Sequence, residues 1–154
     1  MTSSKVRSIT LIDDDPDDFS IFSDALHSIE DDIEVNHIAS TSSLPQKKED
    51  CTVPDLLFLD INMPDRDGFD WIKLIRQKGY RMPVIMYSTA SNQDFVQRAF
   101  KEGANMYLPK PDSFTTLQNA LRKIISLDWN DPEKVKQRFL KDGRFQVFSI
   151  SQSA

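Results

Sequence analysis

The sequence is poor in cysteine, in long apolar runs and in positive charge. Cys51 is the single cysteine among 154 residues, so no disulfide can form within the chain, and a reducing compartment is expected. The longest apolar runs, residues 56–59 and 84–87, are far shorter than the roughly 20 residues of a membrane span. Because the first residues also lack the apolar region of a signal peptide, we expect a cytoplasmic protein with no membrane contact.

The charge balance excludes a further class of partner. The formal net charge is −5 at pH 7, whereas sequence-general binding of nucleic acid requires a basic surface. We therefore expect no nucleic-acid partner. The content of apolar residues, 39%, and of charged residues, 28%, is typical of a globular chain.

Short apolar runs alternate with segments of helical periodicity. The runs predict five strands, at residues 6–12, 33–38, 56–59, 83–87 and 105–108. Helical spacing of apolar residues predicts a first helix from Phe19 to Ile29, then helices around 69–75, 95–100 and 114–125, with a short second helix within 40–50. This βαβ alternation predicts an α/β fold with a doubly wound, five-stranded parallel sheet.

The helical pattern breaks after residue 127, which divides the chain into a main domain, 1–127, and a short C-terminal extension, 128–154. In the extension, Asp131 and a following proline predict a helix over 132–141, which Asp142 and Gly143 would end. An apolar tail over 145–150 follows. Because such side chains would form a sizeable exposed patch, we expect the extension to fold back near the last helix of the main domain, with self-association as the alternative.

Polar residues directly follow four of the predicted strands. They are Asp13 and Asp14 after the first strand, Asp60 after the third, Ser88 after the fourth and Lys110 after the fifth. In a parallel α/β sheet, ligands bind at the carboxyl ends of the strands, where the strand order reverses. The sequence therefore predicts that these five side chains meet at one site.

Without a cation, three carboxylates at that site, from Asp13, Asp14 and Asp60, would repel one another or have shifted pKa values. Two carboxylates about 5 Å apart repel by roughly 3 kcal/mol at an effective dielectric near 20, and Mg²⁺ favours one or two carboxylates together with water and phosphate. An ionised carboxylate needs no general base to act as a nucleophile. We therefore predict phosphoryl transfer to Asp60, with Lys110 and Ser88 stabilising phosphoryl oxygens.

Other polar residues have ordinary structural interpretations. Asp15, Asp17 and Asp18 stand where the first helix begins, and capping and the helix dipole account for them. His27 and His37 fall on the first helix and the second strand, where packing or surface roles are expected.

Four segments together resemble the receiver domain of two-component response regulators. They are Ile12-Asp13-Asp14-Asp15, the ten residues from Leu59 to Gly68, Tyr87-Ser88-Thr89-Ala90 and Leu108-Pro109-Lys110-Pro111. The resemblance extends over about residues 5–127 and is specific in its combination of motifs. It implies the flavodoxin-like (βα)5 fold of single-domain, chemotaxis-type regulators.

The resemblance also implies a role for each site residue. Asp60 would be phosphorylated by a histidine kinase or a histidine phosphotransfer protein. Asp14 and Asp60 would hold Mg²⁺ directly, together with the main-chain carbonyl of Asn62, and Asp13 would act through water. Lys110 would assist the transfer.

A conformational switch is implied as well. Ser88 and Tyr107 take the family's two switch positions, with Ser88 moving toward the phosphoryl group and Tyr107 turning inward. The Lys110–Pro111 bond matches a peptide bond that is usually cis in the family. The fourth helix, fifth strand and fifth helix would then change their affinity for a partner or for a second copy, giving a homodimer.

The expected function is that of a stand-alone response regulator, because no output domain follows in this sequence, and not that of an enzyme beyond its own phosphorylation and dephosphorylation. One alternative is a phosphorelay intermediate that passes the phosphoryl group to another histidine. A second is a small aspartyl-phosphate phosphatase or phosphotransferase, which is disfavoured because Asn62 stands where such enzymes place a second acid. A third is an adaptor that accepts no phosphate, which is disfavoured because such a protein would need none of the five site residues.

Overall fold

The computed structural model describes residues 6–38, 53–61, 68–90 and 92–149. Five strands form one parallel sheet in the order β2-β1-β3-β4-β5. Their bounds are β1 Ser8–Ile12, β2 Glu34–Ile38, β3 Leu56–Leu59, β4 Val84–Ser88 and β5 Met106–Pro109. The five predicted strands are confirmed to within two residues at each end.

Helices cover both faces of this sheet. They are α1 Pro16–Ile29, α2 Gly68–Gln77, α3 Gln93–Glu102 and α4 Phe114–Ile125. The chain moves one way along the sheet from β1 to β2 and the other way from β3 to β5, so right-handed crossovers place α1 on one face and α2 and α3 on the other. Accordingly, α1 packs against α4, and α2 packs against α3. The doubly wound, flavodoxin-like prediction is confirmed.

The predicted second helix, within 40–50, lies outside the described residues. The predicted third, fourth and fifth helices therefore correspond to α2, α3 and α4. Asp15 caps α1 by accepting a hydrogen bond from the Asp17 amide, and Ser113 caps α4 in the same way. Gly103 ends α3 with a φ of 123°, a conformation that glycine adopts without the steric cost of a Cβ atom.

Strand β3, at the centre of the sheet, places the hydrophobic core directly beneath the site. All four residues of β3 are buried, as expected for a parallel strand covered on both faces. Phe58 of β3 packs edge-on against Phe22 of α1, with ring centroids 4.9 Å apart, and Tyr87 of β4 completes the cluster. These rings support the carboxyl ends of β3 and β4.

The extension forms a shorter helix than predicted. Helix α5 runs from Pro132 to Gln137, and the residues expected to be its last turn form a hairpin instead, with β6 Leu140–Lys141 paired antiparallel to β7 Arg144–Phe145. Asp142 and Gly143 both have positive φ, 53° and 78°. That pair is the sequence that favours a two-residue hairpin turn, and this local preference overrides the weak helical pattern.

The extension folds back on the main domain near the predicted fifth helix, as expected, and it also contacts α3 and β5. The Phe145 ring stacks on Phe100 of α3 with centroids 4.2 Å apart, and the Phe148 amide donates to the Tyr107 carbonyl of β5 at 2.7 Å. The extension also contacts α4, where Trp129 Nε1 donates to the Ile124 carbonyl at 2.9 Å and Phe148 borders a pocket with Thr116 and Ala120. The docking surface therefore includes α3 and β5 in addition to the predicted fifth helix.

None of the helices in the described parts of the chain is long and apolar enough to span a membrane.

Candidate functional site

The strand ladder brings the predicted site residues to one edge of the sheet. The Asp60 amide donates to the Ile12 carbonyl at 3.0 Å, and the Lys110 amide donates to the Ser88 carbonyl at 2.9 Å. Each bond holds the end of one strand level with the end of its neighbour. Strands β1 and β3 flank the point where the strand order reverses, which is where this fold binds ligands.

Gly68 fixes how closely the next helix approaches Asp60. A Cβ at Gly68 would lie 2.7 Å from the carbonyl oxygen of Asp60 and 2.8 Å from the Cα of Ile61. The Gly68 amide donates to the Ile61 carbonyl at 2.8 Å. Because both close neighbours are backbone atoms, any larger residue would push α2 away from the strand that carries Asp60.

Asp13, Asp14 and Asp60 form the predicted carboxylate cluster. One oxygen from each lies within 4.8 Å of the others. Asp13 is fully buried and Asp60 is 6% exposed, whereas Asp14 is exposed. Burial raises the pKa of Asp13 above its ordinary value, although hydrogen bonds from the Asp15 amide and from Lys110 oppose the rise. Three hard oxygen donors at this spacing suit a divalent cation.

Lys110 lies at the centre of the cluster. Its Nζ is 3.0 Å from Asp13 Oδ2, 2.6 Å from Asp18 Oδ2 and 3.5 Å from Asp60 Oδ2. Burial disfavours the charged ammonium, but hydrogen bonds to Asp18 and Asp13 and the charge of Asp60 outweigh it, so the pKa of Lys110 lies above its ordinary value. The ammonium therefore stays charged at neutral pH, next to the carboxylate predicted to accept a phosphoryl group.

Asp18 is a site residue that the sequence analysis missed. It was assigned to the helix dipole, yet its carboxylate makes the shortest of the three contacts with Lys110. Side chains in a helix point back toward its N-terminus, and α1 begins at the edge where β1 ends. That direction, applied to the first turn of α1, was the available signal.

The two predicted switch residues are buried and linked through Ala90. The Ser88 hydroxyl accepts a hydrogen bond from the Ala90 amide at 3.2 Å, and the Tyr107 hydroxyl donates to the Ala90 carbonyl. Burial and the charge of Asp60 raise the pKa of Tyr107 above its ordinary value, against a hydrogen bond with Ser88. Tyr107 is fully buried, so this structure holds its ring inward.

Three further expectations concern neighbours of the cluster. Asn62, the predicted main-chain ligand, lies outside the described residues. The expected cis bond between Lys110 and Pro111 is wrong, because this bond is trans. His37 packs as expected: its ring stacks on Phe19 with centroids 4.5 Å apart, and its Nε2 lies 2.6 Å from the Asp13 carbonyl.

Comparison with known proteins agrees with the fold. Residues 9–122 match the response regulator receiver domain family. The Mn²⁺-bound form of response regulator Rcp1 superposes with a TM-score of 0.65 and 25% identity, over 81% of this chain and 96% of that one. A response regulator receiver domain from Rhodospirillum rubrum gives a TM-score of 0.65 and 27% identity, over 77% and 90% of the two chains.

The chain belongs to the receiver domain family of two-component response regulators. A protein-glutamate methylesterase/protein-glutamine glutaminase of Nocardioides sp. is 31% identical over 118 residues, which cover 75% of this chain and 32% of that protein. Since the chain spans only about a third of that relative's length, the activity in the relative's name does not carry over. The Mn²⁺ of Rcp1 and the cluster of Asp13, Asp14 and Asp60 together indicate a divalent metal site.

Proposed function

We propose that the chain accepts a phosphoryl group on Asp60 from a phosphohistidine of a kinase or phosphotransfer protein, with Mg²⁺ as the resident cation. This proposal rests on one observation. Three carboxylates have oxygens within 4.8 Å of one another, and the Lys110 ammonium lies 3.5 Å from one of them, Asp60. A structural role alone would not require three acids around one half-buried lysine, because clustered charges are costly to remove from water.

The transfer is a nucleophilic displacement at phosphorus. An oxygen of Asp60 forms the new bond to phosphorus, the bond from phosphorus to the donor imidazole nitrogen breaks, and the imidazole takes up a proton as it leaves. Mg²⁺, held by Asp14 and Asp60 with Asp13 behind them, would neutralise phosphoryl oxygens. Lys110 offers an ammonium to another oxygen, and Ser88 offers its hydroxyl.

Signalling would follow from the added charge. A phosphoryl group brings up to about two negative charges and strong acceptor oxygens. These attract the Ser88 hydroxyl and so favour the conformation of residues 88–90 in which this hydroxyl faces the phosphoryl group. The output is a protein-binding surface rather than catalysis on another substrate. A phosphorelay intermediate uses the same acceptor and differs only in where the phosphoryl group goes next. The stand-alone arrangement, the cytoplasmic location and the homodimer stay predictions.

The test is phosphorylation by a small-molecule donor. The full chain is incubated with acetyl phosphate and Mg²⁺, and intact and peptide mass spectrometry locates the added phosphoryl group. We expect one phosphoryl group on the peptide that contains Asp60, and none after Asp60→Asn or in excess EDTA.

A matched control makes the same change in charge at a position away from the site. Asp24 is exposed in the middle of α1, so Asp24→Asn changes the net charge equally and should leave the labelling intact. Unchanged labelling of Asp60→Asn, or labelling on another residue of the wild-type chain, would contradict the proposal.

A further inference from the structure

The C-terminal extension holds α3 through a set of specific polar bonds as well as through ring stacking. The Gln97 side chain of α3 donates to the Phe145 carbonyl at 2.8 Å and accepts from the Phe145 amide at 3.0 Å. Lys136 donates to the Phe100 carbonyl at 3.1 Å. These reciprocal bonds fix the position of the hairpin on α3, which an unspecific apolar contact would not do.

The extension also contacts β5, the strand that ends directly before the site lysine, Lys110. Strand β5 is at the edge of the sheet, and unpaired backbone groups at such an edge are open to other chains. The Phe148 amide occupies the Tyr107 carbonyl at that edge, and Phe148 itself is 7% exposed. The chain therefore covers, with its own tail, part of the surface predicted above to form a homodimer.

Three hydrogen bonds link this contact, through Tyr107 and Ala90, to the hydroxyl of Ser88, which ends β4 at the site edge of the sheet. The Phe148 amide bonds to the backbone of Tyr107, the Tyr107 hydroxyl bonds to the Ala90 carbonyl, and the Ala90 amide bonds to the Ser88 hydroxyl. Three residues beyond Tyr107, just past the end of β5, Lys110 contacts Asp60. Helix α3, the other docking element, begins just after the loop that contains Ala90.

We propose that docking of the extension on α3 and β5 is coupled to the chemical state of Asp60, so that phosphorylation tightens the docked extension and the docked extension favours phosphorylation. This coupling rests on the proposed function of Asp60. The extension thus covers the face formed by α3 and β5. A partner or a second copy that binds this face competes with the extension.

The sign of the coupling follows from the conformation of Tyr107. A phosphoryl group on Asp60 draws the Ser88 hydroxyl by a charge-assisted hydrogen bond and so holds the segment from Ser88 to Ala90 against the site. That segment accepts the inward Tyr107 hydroxyl, and the docked tail is seen together with this inward ring. Linkage is reciprocal: if phosphorylation favours the docked extension by some factor, the docked extension favours phosphorylation by the same factor.

The first test is hydrogen exchange on the full chain. Amide exchange is followed by mass spectrometry in Mg²⁺, with and without beryllofluoride as the mimic of an aspartyl phosphate. We expect beryllofluoride to slow exchange in residues 139–149 by about fivefold or more, within the usual range of coupling between sites. The Asp60→Asn chain, which cannot bind the mimic, should show no such change.

The second test runs the coupling in reverse. Phe145→Ala removes the stacked ring and should weaken beryllofluoride affinity, measured by tryptophan fluorescence, by the same factor that the exchange experiment gives. Leu140→Ala is the control, because Leu140 is in the same hairpin but 38% exposed. If Phe145→Ala fails to fold, Gln97→Ala removes both side-chain bonds to Phe145 and carries the same expectation.

The outcomes separate the two proposals. Wild-type chain that binds no beryllofluoride would overturn both the phosphorylation site and the coupling. Binding at Asp60 with unchanged or faster exchange in 139–149 would overturn the coupling alone. Equal affinity in Phe145→Ala and wild type would do the same.

Discussion

Asp60→Asn is expected to raise the stability of the metal-free protein. The nearest oxygens of Asp13 and Asp60 lie within 4.8 Å, which corresponds to a repulsion of about 3.5 kcal/mol at an effective dielectric near 20. Lys110, 3.5 Å from Asp60, attracts it by about 5 kcal/mol on the same scale, but this ammonium is shared with Asp13 and Asp18. Asp14 lies within the same distance but is exposed, so solvent screens its repulsion and it adds a smaller amount. Repulsion and attraction therefore nearly cancel.

What remains is the cost of holding an ionised carboxylate at a site that is only 6% exposed. An amide of the same shape avoids that cost, so we expect Asp60→Asn to gain about 1–3 kcal/mol in the free energy of unfolding. For a chain of this length the gain corresponds to a rise in Tm of about 3–10 °C. Magnesium should reverse the order, since a ligand at 100 times its Kd stabilises the wild type by about 2.7 kcal/mol.

The assay is thermal unfolding followed by circular dichroism, first in EDTA and then in millimolar Mg²⁺. Asp24→Asn is the control and should leave Tm nearly unchanged in both buffers, because Asp24 is exposed on α1. A lower Tm for Asp60→Asn in EDTA would refute the argument that the cost of burying the ionised Asp60 carboxylate exceeds the net gain from its charge interactions.

Two further predictions concern buried polar groups. Asn105→Ala leaves the buried Val84 amide without its acceptor, Asn105 Oδ1 at 3.0 Å, and removes one of several acceptors of the Arg76 guanidinium. An unsatisfied buried donor costs about 1–3 kcal/mol, so a fall in Tm of about 3 °C or more is expected, and an unchanged Tm would contradict it. Burial raises the pKa of Asp13, so the folded chain holds this proton more tightly than the unfolded chain, and the stability contributed by Asp13 falls as the pH rises from about 4 to the folded pKa. The stability gain of Asp13→Asn, from urea unfolding in EDTA, should therefore grow across that rise and then level off; a gain that is constant with pH would contradict this reasoning.

Local sequence patterns were sufficient to predict much of the main domain. Buried parallel strands require continuous apolar runs, and β3 shows one that the sequence reveals without ambiguity. Helix caps such as Asp15 and Ser113 act within three residues and are therefore visible in sequence. The polar residue that follows each strand is also a local feature, and parallel topology then brings Asp13, Asp60 and Lys110 to the same edge.

Local patterns failed where two structures compete over a few residues. The spacing of Val135 and Phe139 favours a helix through residue 141, yet the helix ends at Gln137. Asp142 and Gly143 form a tight hairpin turn, and the strands on either side gain backbone hydrogen bonds with each other. Helical periodicity over ten residues is weaker than this turn preference once the hairpin also stacks Phe145 on α3.

By itself, the sequence determined the parallel α/β fold, the strand ends and the identity of the acidic cluster with its lysine, because each depends on residues close together in the chain and on one rule of sheet topology. Only the tertiary structure decided that Asp18 joins Lys110, 92 residues away, and that the extension docks on α3 and β5. These contacts depend on how a helix is oriented over the sheet and on which surface accepts the tail. Packing of the whole chain sets both: the first turn of α1 indicates the direction of the Asp18 side chain, but not that Lys110 lies within its reach.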